Sequence, residues 1–213
     1  MTAAAVPVVY LHGFASGPGS KKARFFGERF AARGVPFLVP DLAAGDFAHL
    51  TLSGQLEVVR KAVGGERVRM MGSSLGGYLA ALYANSCPSQ VDRLVLMAPA
   101  FDFAARWRKR LGPQAFADWE RTGKLDVFHY GEGGSTFVGF DLYTDALQYP
   151  PFPSIRCPTL DYHGLRDDVV PASLSERFAE TGPHIRLRLL ESDHELLNVT
   201  ERIWEETWAF FQS

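Results

Sequence analysis

The tightest constraint on this chain is the passage between a strand and a helix at residues 67–86. Residues 67–71 form a short, largely apolar run, Gly72-Ser73-Ser74-Leu75-Gly76 follows, and an alanine-rich stretch of helical character begins at once and runs over 75–86. A strand that turns into a helix within so few residues needs an abrupt bend, with its apical residue in a strained backbone conformation. Ser74 is at that apex, with a glycine two residues away on each side. A side chain at either flanking position would collide with the neighbouring strand or helix. The bend lifts the serine hydroxyl clear of the sheet, at a helix N-terminus whose free N–H groups and dipole favour developing negative charge. Gly-x-Ser-x-Gly by itself occurs by chance in many chains. The strand before it and the helix after it make Ser74 a candidate nucleophile, against the blander reading of a serine capping a glycine-rich turn. Ser73 is the rival hydroxyl and lacks the symmetric glycines.

The rest of the chain supplies the surroundings for such a turn. Residues 6–11 (VPVVYL) are a continuous apolar run ended by His12 and Gly13, as expected of a buried parallel strand. A helix is expected over 20–33, with Phe25, Phe26 and Phe30 on its apolar side and Gly34 closing it. Further strands are expected at 35–39, 94–98, 159–162 and 185–190, with helices over 51–63 and 172–180. An amphipathic helix from Thr200 presents Ile203, Trp204, Thr207, Trp208 and Phe211 at helical spacing. Strands alternating with helices imply right-handed crossovers and a parallel sheet covered on both faces. In such sheets the site lies beyond the carboxyl ends of the strands, and the chemically active side chains here all follow strands. At 213 residues the chain is expected to be a single α/β domain, 1–213.

Residues 101–153 interrupt the alternation. They hold 12 of the 27 aromatic residues of the chain, among them Phe103, Trp107, Trp119, Phe128, Tyr130, Phe137, Phe140 and Tyr143. So long an excursion is functional or disordered, and this aromatic density speaks against disorder. Two short helices are expected at 103–111 and 113–121, then irregular structure, then a short helix at 141–147. The insertion reads either as an elaborated surface with its own small core or, the favoured reading, as a cap over the strand ends that forms an apolar acyl pocket. The basic run Arg106, Arg108, Lys109, Arg110 reads as a solvated helix face.

A serine hydroxyl is a poor nucleophile at neutral pH. It needs a base, a carboxylate to orient the base, and N–H donors for an oxyanion. Of the six histidines, His194 in SDHELL directly follows the last strand and is the expected base. His163 ends a strand too, but the glycine after it points to a structural role. His49, His129 and His184 have no strand-end context. For the acid, HGLRDDVVP offers Asp167 and Asp168 just past the fifth strand. Asp167 fits by register, four residues after His163; Asp168 could bond local backbone or reach Arg166, and Asp102 after the fourth strand is a third choice. The N–H of Leu75 faces an oxyanion by construction of the turn, and the loop after the first strand supplies a second donor, Phe14.

Composition narrows the partners. A net charge of −2 gives no reason to expect nucleic acid, and no segment is long and apolar enough to span a membrane. Cys87 and Cys157 lack metal-like spacing and suit a reduced, cytoplasmic setting. The N-terminal stretch lacks the basic region of a signal peptide and runs directly into a core strand. No metal or organic cofactor is expected, and the expected partner is a small-molecule ester or thioester.

Gly72–Gly76, His12-Gly13-Phe14, HGLRDDVVP and SDH together resemble the α/β-hydrolase superfamily over nearly the whole chain. The opening YLHGFASGPGSKKA is similar more narrowly to small bacterial esterases of the YqiA/YcfP-like type, and DDVVP and SDH also resemble mitochondrial depalmitoylating thioesterases. The resemblance implies an α/β-hydrolase fold with a minimal six-stranded, mostly parallel sheet in the order 2-1-3-4-5-6, without the two usual leading strands, and with 101–153 as a cap between strands 4 and 5. The order Ser, Asp, His along the chain is the one that superfamily uses. The implied activity is serine-dependent hydrolysis of carboxylic esters. An acyl thioesterase with the same triad, and a hydrolase fold kept as a binding module, are the alternatives.

Overall fold

The first apolar run forms β1, Val8–Leu11, and its four side chains are all buried because both faces of the strand are covered. A computed structural model describes residues 5–213; the first four residues of the N-terminal stretch considered for a signal peptide lie outside them. Ser20 caps α1 (Lys21–Ala31) by accepting from the Ala23 N–H. The following strand β2 is only Phe37–Leu38, shorter than the five-residue run 35–39. Thr51 caps α2 (Leu52–Val63), and Gly64 ends it in the left-handed conformation that glycine adopts without steric cost. Then come β3 (Val68–Ser73), α3 (Leu75–Ser86) and β4 (Val91–Met97).

The insertion follows as a helical span α4 (Phe103–Thr122), strands β5 (Lys124–His129) and β6 (Gly134–Gly139), and α5 (Asp141–Ala146). Gly112 is non-helical, with φ 72°, and Pro113 follows it, so α4 is in effect the two expected helices. The segment expected to be irregular is instead an antiparallel hairpin, Lys124 opposite Gly139 through His129 opposite Gly134. The chain ends in β7 (Thr159–Gly164), α6 (Ser173–Ala179), β8 (Ile185–Leu190) and α7 (Thr200–Gln212).

The main sheet runs β2-β1-β3-β4-β7-β8, and every pairing in it is parallel. Side chains alternate across it. Val9, Leu11, Met70, Leu94 and Leu96 enter one core with α2 and α3, whereas Val8, Tyr10, Met71, Val95 and Met97 enter the other with α1 and α7. Each large aliphatic side chain buried this way stabilises the fold by roughly 1.5–3 kcal/mol. The parallel arrangement sends the loops after β1, β3, β7 and β8 out at one edge of the sheet. This is the α/β-hydrolase fold. Among the described residues no helix is long and apolar enough to cross a membrane.

The insertion has an aromatic core of its own that is continuous with the core over α2 and α3. Trp119 is 1% exposed, donates its Nε1–H to Val138 O at 3.0 Å, and packs against Trp107, Phe116, Phe140 and Tyr143. It reaches the sheet edge at two places. Trp107 meets the Phe14 ring at 5.1 Å, and the Tyr130 N–H donates to Ala15 O. Arg106 also corrects the expectation of a fully solvated basic face. It is half-buried, burial pulls its pKa down, and it donates to Val169 O in the loop after β7, while Arg108, Lys109 and Arg110 are exposed.

Candidate active site

At the end of β3 the chain bends as tightly as the glycine spacing implies. Ser74 has φ 53° and ψ −120°, a conformation few non-glycine residues adopt. A Cβ on Gly72 would lie 2.3 Å from Gly76 O, and one on Gly76 would lie 2.1 Å from Leu11 O, so neither flank admits a side chain. The loop after β1 packs against the bend in ordinary contact, since a Cβ on Gly13 would meet Ser74 Cβ at 3.4 Å. The bend is held from behind by Ser74 N–H donating to Met97 O, and by the Gly77, Tyr78 and Ala100 N–H groups donating to Ser74 O.

Three of the candidate side chains meet here from three strand ends. Ser74 Oγ lies 3.0 Å from His194 Nε2, and His194 Nδ1 lies 2.7 Å from Asp167 Oδ2. A carboxylate oxygen only accepts, so Nδ1 carries the imidazole proton and Nε2 is free to accept from the serine hydroxyl. Asp167 Oδ1 accepts from the N–H groups of Val169 and Val170 at 2.9 and 2.7 Å. Burial pushes the Asp167 carboxyl up, but hydrogen bonds from His163, His194 and Val170 outweigh it and hold the group well below the usual carboxylate range.

The other carboxylates weighed for this position are elsewhere. Asp168 is exposed, and Asp102 stands at the N-terminus of α4 with φ 53°; neither bonds an imidazole. Ser73 is buried beside Tyr10. His129 closes β5 and is buried against Phe47, which gives it a strand-end context that the sequence reading denied it, but it does not reach Ser74. His184 bonds Ile155 O, and His49 pairs with Asp46.

The loop after β1 is set by His12. Burial lowers its pKa, its Nδ1 donates to Gly13 O, and its Nε2 accepts from the Leu42 N–H. Among the described residues neither the Phe14 N–H nor the Leu75 N–H has a hydrogen-bond partner, and Leu75 opens α3 directly beyond Ser74. Free N–H groups at a helix N-terminus, as at Leu75, favour a nearby negative charge.

Lys22, which the sequence reading passed over, and Gly164 together set the loop that carries His194. Lys22 on α1 is buried and donates to Glu195 O at 2.8 Å, which fixes the residue after His194. Gly164 lets the same loop approach β7, since a Cβ there would lie 2.3 Å from Asp193 O. The glycine after His163 was visible in the sequence; Lys22 gave no comparable signal. Among the described residues no group of three or more His, Cys, Asp or Glu side chains is arranged to hold a metal ion.

A family model described as "Uncharacterised protein family (UPF0227)" matches residues 7–211. The mitochondrial palmitoyl-protein thioesterase ABHD10 of Bos taurus is 29% identical over 136 residues, which is 60% of this chain and 44% of that protein. Its Homo sapiens counterpart matches to the same extent. The match thus spans less than half the length of these curated relatives. Among solved structures, mouse alpha/beta hydrolase domain-containing protein 10 superposes with a TM-score of 0.83 at 20% identity, covering 97% of this chain and 89% of that one. A putative hydrolase from Agrobacterium vitis S4 gives 0.84 at 22% identity, with 98% and 91% covered. Est1E from Butyrivibrio proteoclasticus gives 0.74 at 19% identity, with 99% and 89% covered.

Proposed function

The chain belongs to the uncharacterised protein family UPF0227, and from that premise we propose that it is a serine hydrolase that cleaves carboxylic esters through an acyl-enzyme intermediate. The observation that carries this reading is the unbroken hydrogen-bonded line from Ser74 Oγ through His194 to Asp167, at 3.0 and 2.7 Å. His194 Nε2 takes the serine proton as Oγ attacks the acyl carbon, and returns it to the leaving alcohol. Asp167 keeps the imidazole in the tautomer that accepts at Nε2 and stabilises the imidazolium that forms. The N–H groups of Phe14 and Leu75 receive the oxyanion, where charge appears only in the transition state. A water activated by the same imidazole then attacks the acyl-serine and releases the acid. Residues 101–153 act as a cap, with Trp107 over Phe14 forming part of an apolar acyl site.

A thioester substrate is the second reading, because the curated relatives are named palmitoyl-protein thioesterases. The triad chemistry is unchanged, and only the leaving atom differs. Turnover of a matched series of short and long acyl esters and their sulfur analogues tests both readings. Hydrolysis lost by about 10⁴- to 10⁶-fold in Ser74→Ala supports the mechanism. The ratio of oxygen-ester to thioester rates decides between the two substrates. A chain that turns over neither series is a binding module with a hydrolase fold, and the proposal fails.

A further inference from the structure

Behind the site, β7 carries polar side chains into the core. Side chains alternate along a strand, so Asp161 and His163 share one face, beneath α6, and both are fully buried. Ser175 of α6 is also buried and lies 2.8 Å from His163 Nδ1. On its other side, His163 Nε2 is 2.8 Å from Val170 O and 3.1 Å from Asp167 Oδ2. Both are acceptors, so Nε2 carries a proton; the N–H donates to Val170 O and its positive edge lies against Asp167 Oδ2, while Nδ1 is left to meet the Ser175 hydroxyl.

Two imidazoles therefore converge on one oxygen of Asp167, with His194 at 2.7 Å and His163 at 3.1 Å. We propose that His163 is a positioning residue: the positive Nε2 edge of its ring, 3.1 Å from Asp167 Oδ2, holds that oxygen in line with His194 by electrostatic contact and offsets part of the carboxylate charge. The inference rests on the triad reading above. Val170 O and Ser175 already satisfy both ring nitrogens, so the third contact, to Asp167, exceeds what burying the ring requires.

That contact has a consequence distinct from packing. A second N–H dipole against Oδ2 weakens the pull of the carboxylate on the His194 imidazolium. Without it Asp167 becomes the more basic partner, and His194 holds its proton to higher pH. The charged groups facing this cluster are Asp161 on β7, His194 in the loop after β8, Lys22 on α1 and Arg106 on α4, the last bonded to Val169 O. All of them stay in place in the variants below.

The test is the rate at which a fluorophosphonate probe labels Ser74 of the full chain, followed against pH. In the wild type the rate rises with pH as His194 loses its proton. In His163→Leu the midpoint of that rise moves up by roughly half to one pH unit, and labelling below it slows about three- to tenfold, as the loss of a buried electrostatic contact with a carboxylate implies. His163→Gln keeps a donor near the Nε2 position and returns the midpoint to the wild-type value. An unshifted His163→Leu, or a Gln variant shifted as far as Leu, overturns the inference while leaving the triad reading intact. Should His163→Leu fail to fold, His163→Met carries the test: it fills the same space without an N–H, so the midpoint again moves up, and an unmoved midpoint overturns the inference. A wild-type chain that takes no label at Ser74 overturns the proposed function itself.

Discussion

Replacing Asp167 by Asn changes one atom and sets two requirements against each other. In the wild type, Oδ1 accepts two backbone N–H groups and Oδ2 accepts the His194 N–H with the His163 ring edge 3.1 Å away, so all three donors find acceptors. An amide has only one oxygen. If that oxygen stays with Val169 and Val170, the NH₂ group faces His194 Nδ1, which must then accept and carry its proton on Nε2 instead. The imidazole then presents a donor to Ser74 and can no longer take its proton. If the amide turns over, the NH₂ group faces two backbone N–H groups and those donors go unsatisfied, at roughly 1–3 kcal/mol each. The first arrangement is therefore favoured, and it is the one without a base. Loss of the correct tautomer costs about 10⁴-fold in turnover. The measurement is kcat/KM on the best ester from the substrate series, for Asp167→Asn beside Asp168→Asn, with thermal denaturation to verify folding. Asp168 is exposed and bonds no imidazole, so its variant should stay within about threefold of wild type. An Asp167→Asn variant within tenfold of wild type, or an equal loss in Asp168→Asn, would refute the assignment.

Gly76→Ala should prevent folding or destabilise the chain by more than about 3 kcal/mol, because the new methyl group would lie 2.1 Å from Leu11 O, a rigid strand carbonyl; denaturant unfolding measures it. Trp119→Ala should cost about 3–5 kcal/mol and loosen the hairpin first, read by global unfolding and by hydrogen exchange at the β5–β6 amides. Asp161 gives a pH prediction. Burial with no hydrogen-bond partner pushes its pKa up to about 7, so between about pH 4 and 7 the folded chain holds a proton that the unfolded chain has lost. Stability should therefore fall as pH rises through that window, by up to roughly 1.4 kcal/mol per pH unit, and Asp161→Asn should flatten the decline. Parallel unfolding curves for the two proteins across the window would contradict this.

The alternation of apolar runs with helical segments was enough to read a parallel sheet and to bring Ser74, His194 and the two adjacent aspartates to one edge, because parallel topology sends every strand end the same way, whereas the strand order came from the resemblance to α/β-hydrolases. The choice of Asp167 over Asp168 hung on register from His163. The side-chain contacts that distinguish the two come from Val169, Val170 and a histidine 27 residues away, which no local pattern contains. The hairpin was missed although Lys124-Leu125-Asp126-Val127 alternates and Gly131 and Gly133 punctuate the turn. Its aromatic residues drew the reading towards core packing instead of period two. Arg106 was missed for another reason. Helical spacing makes it one of four solvated cations, and only the approach of Val169 O, 63 residues on, sets it apart. Structure was legible where it depended on local periodicity and illegible where partners distant in sequence decided a side chain's role.

The most direct test of the central claim is intact-mass spectrometry of the chain after treatment with a fluorophosphonate probe. The account predicts addition of a single probe mass on Ser74 in the wild type and none in Ser74→Ala, with both proteins equally folded. A wild type that takes no label, or a Ser74→Ala variant that still takes one, would contradict it.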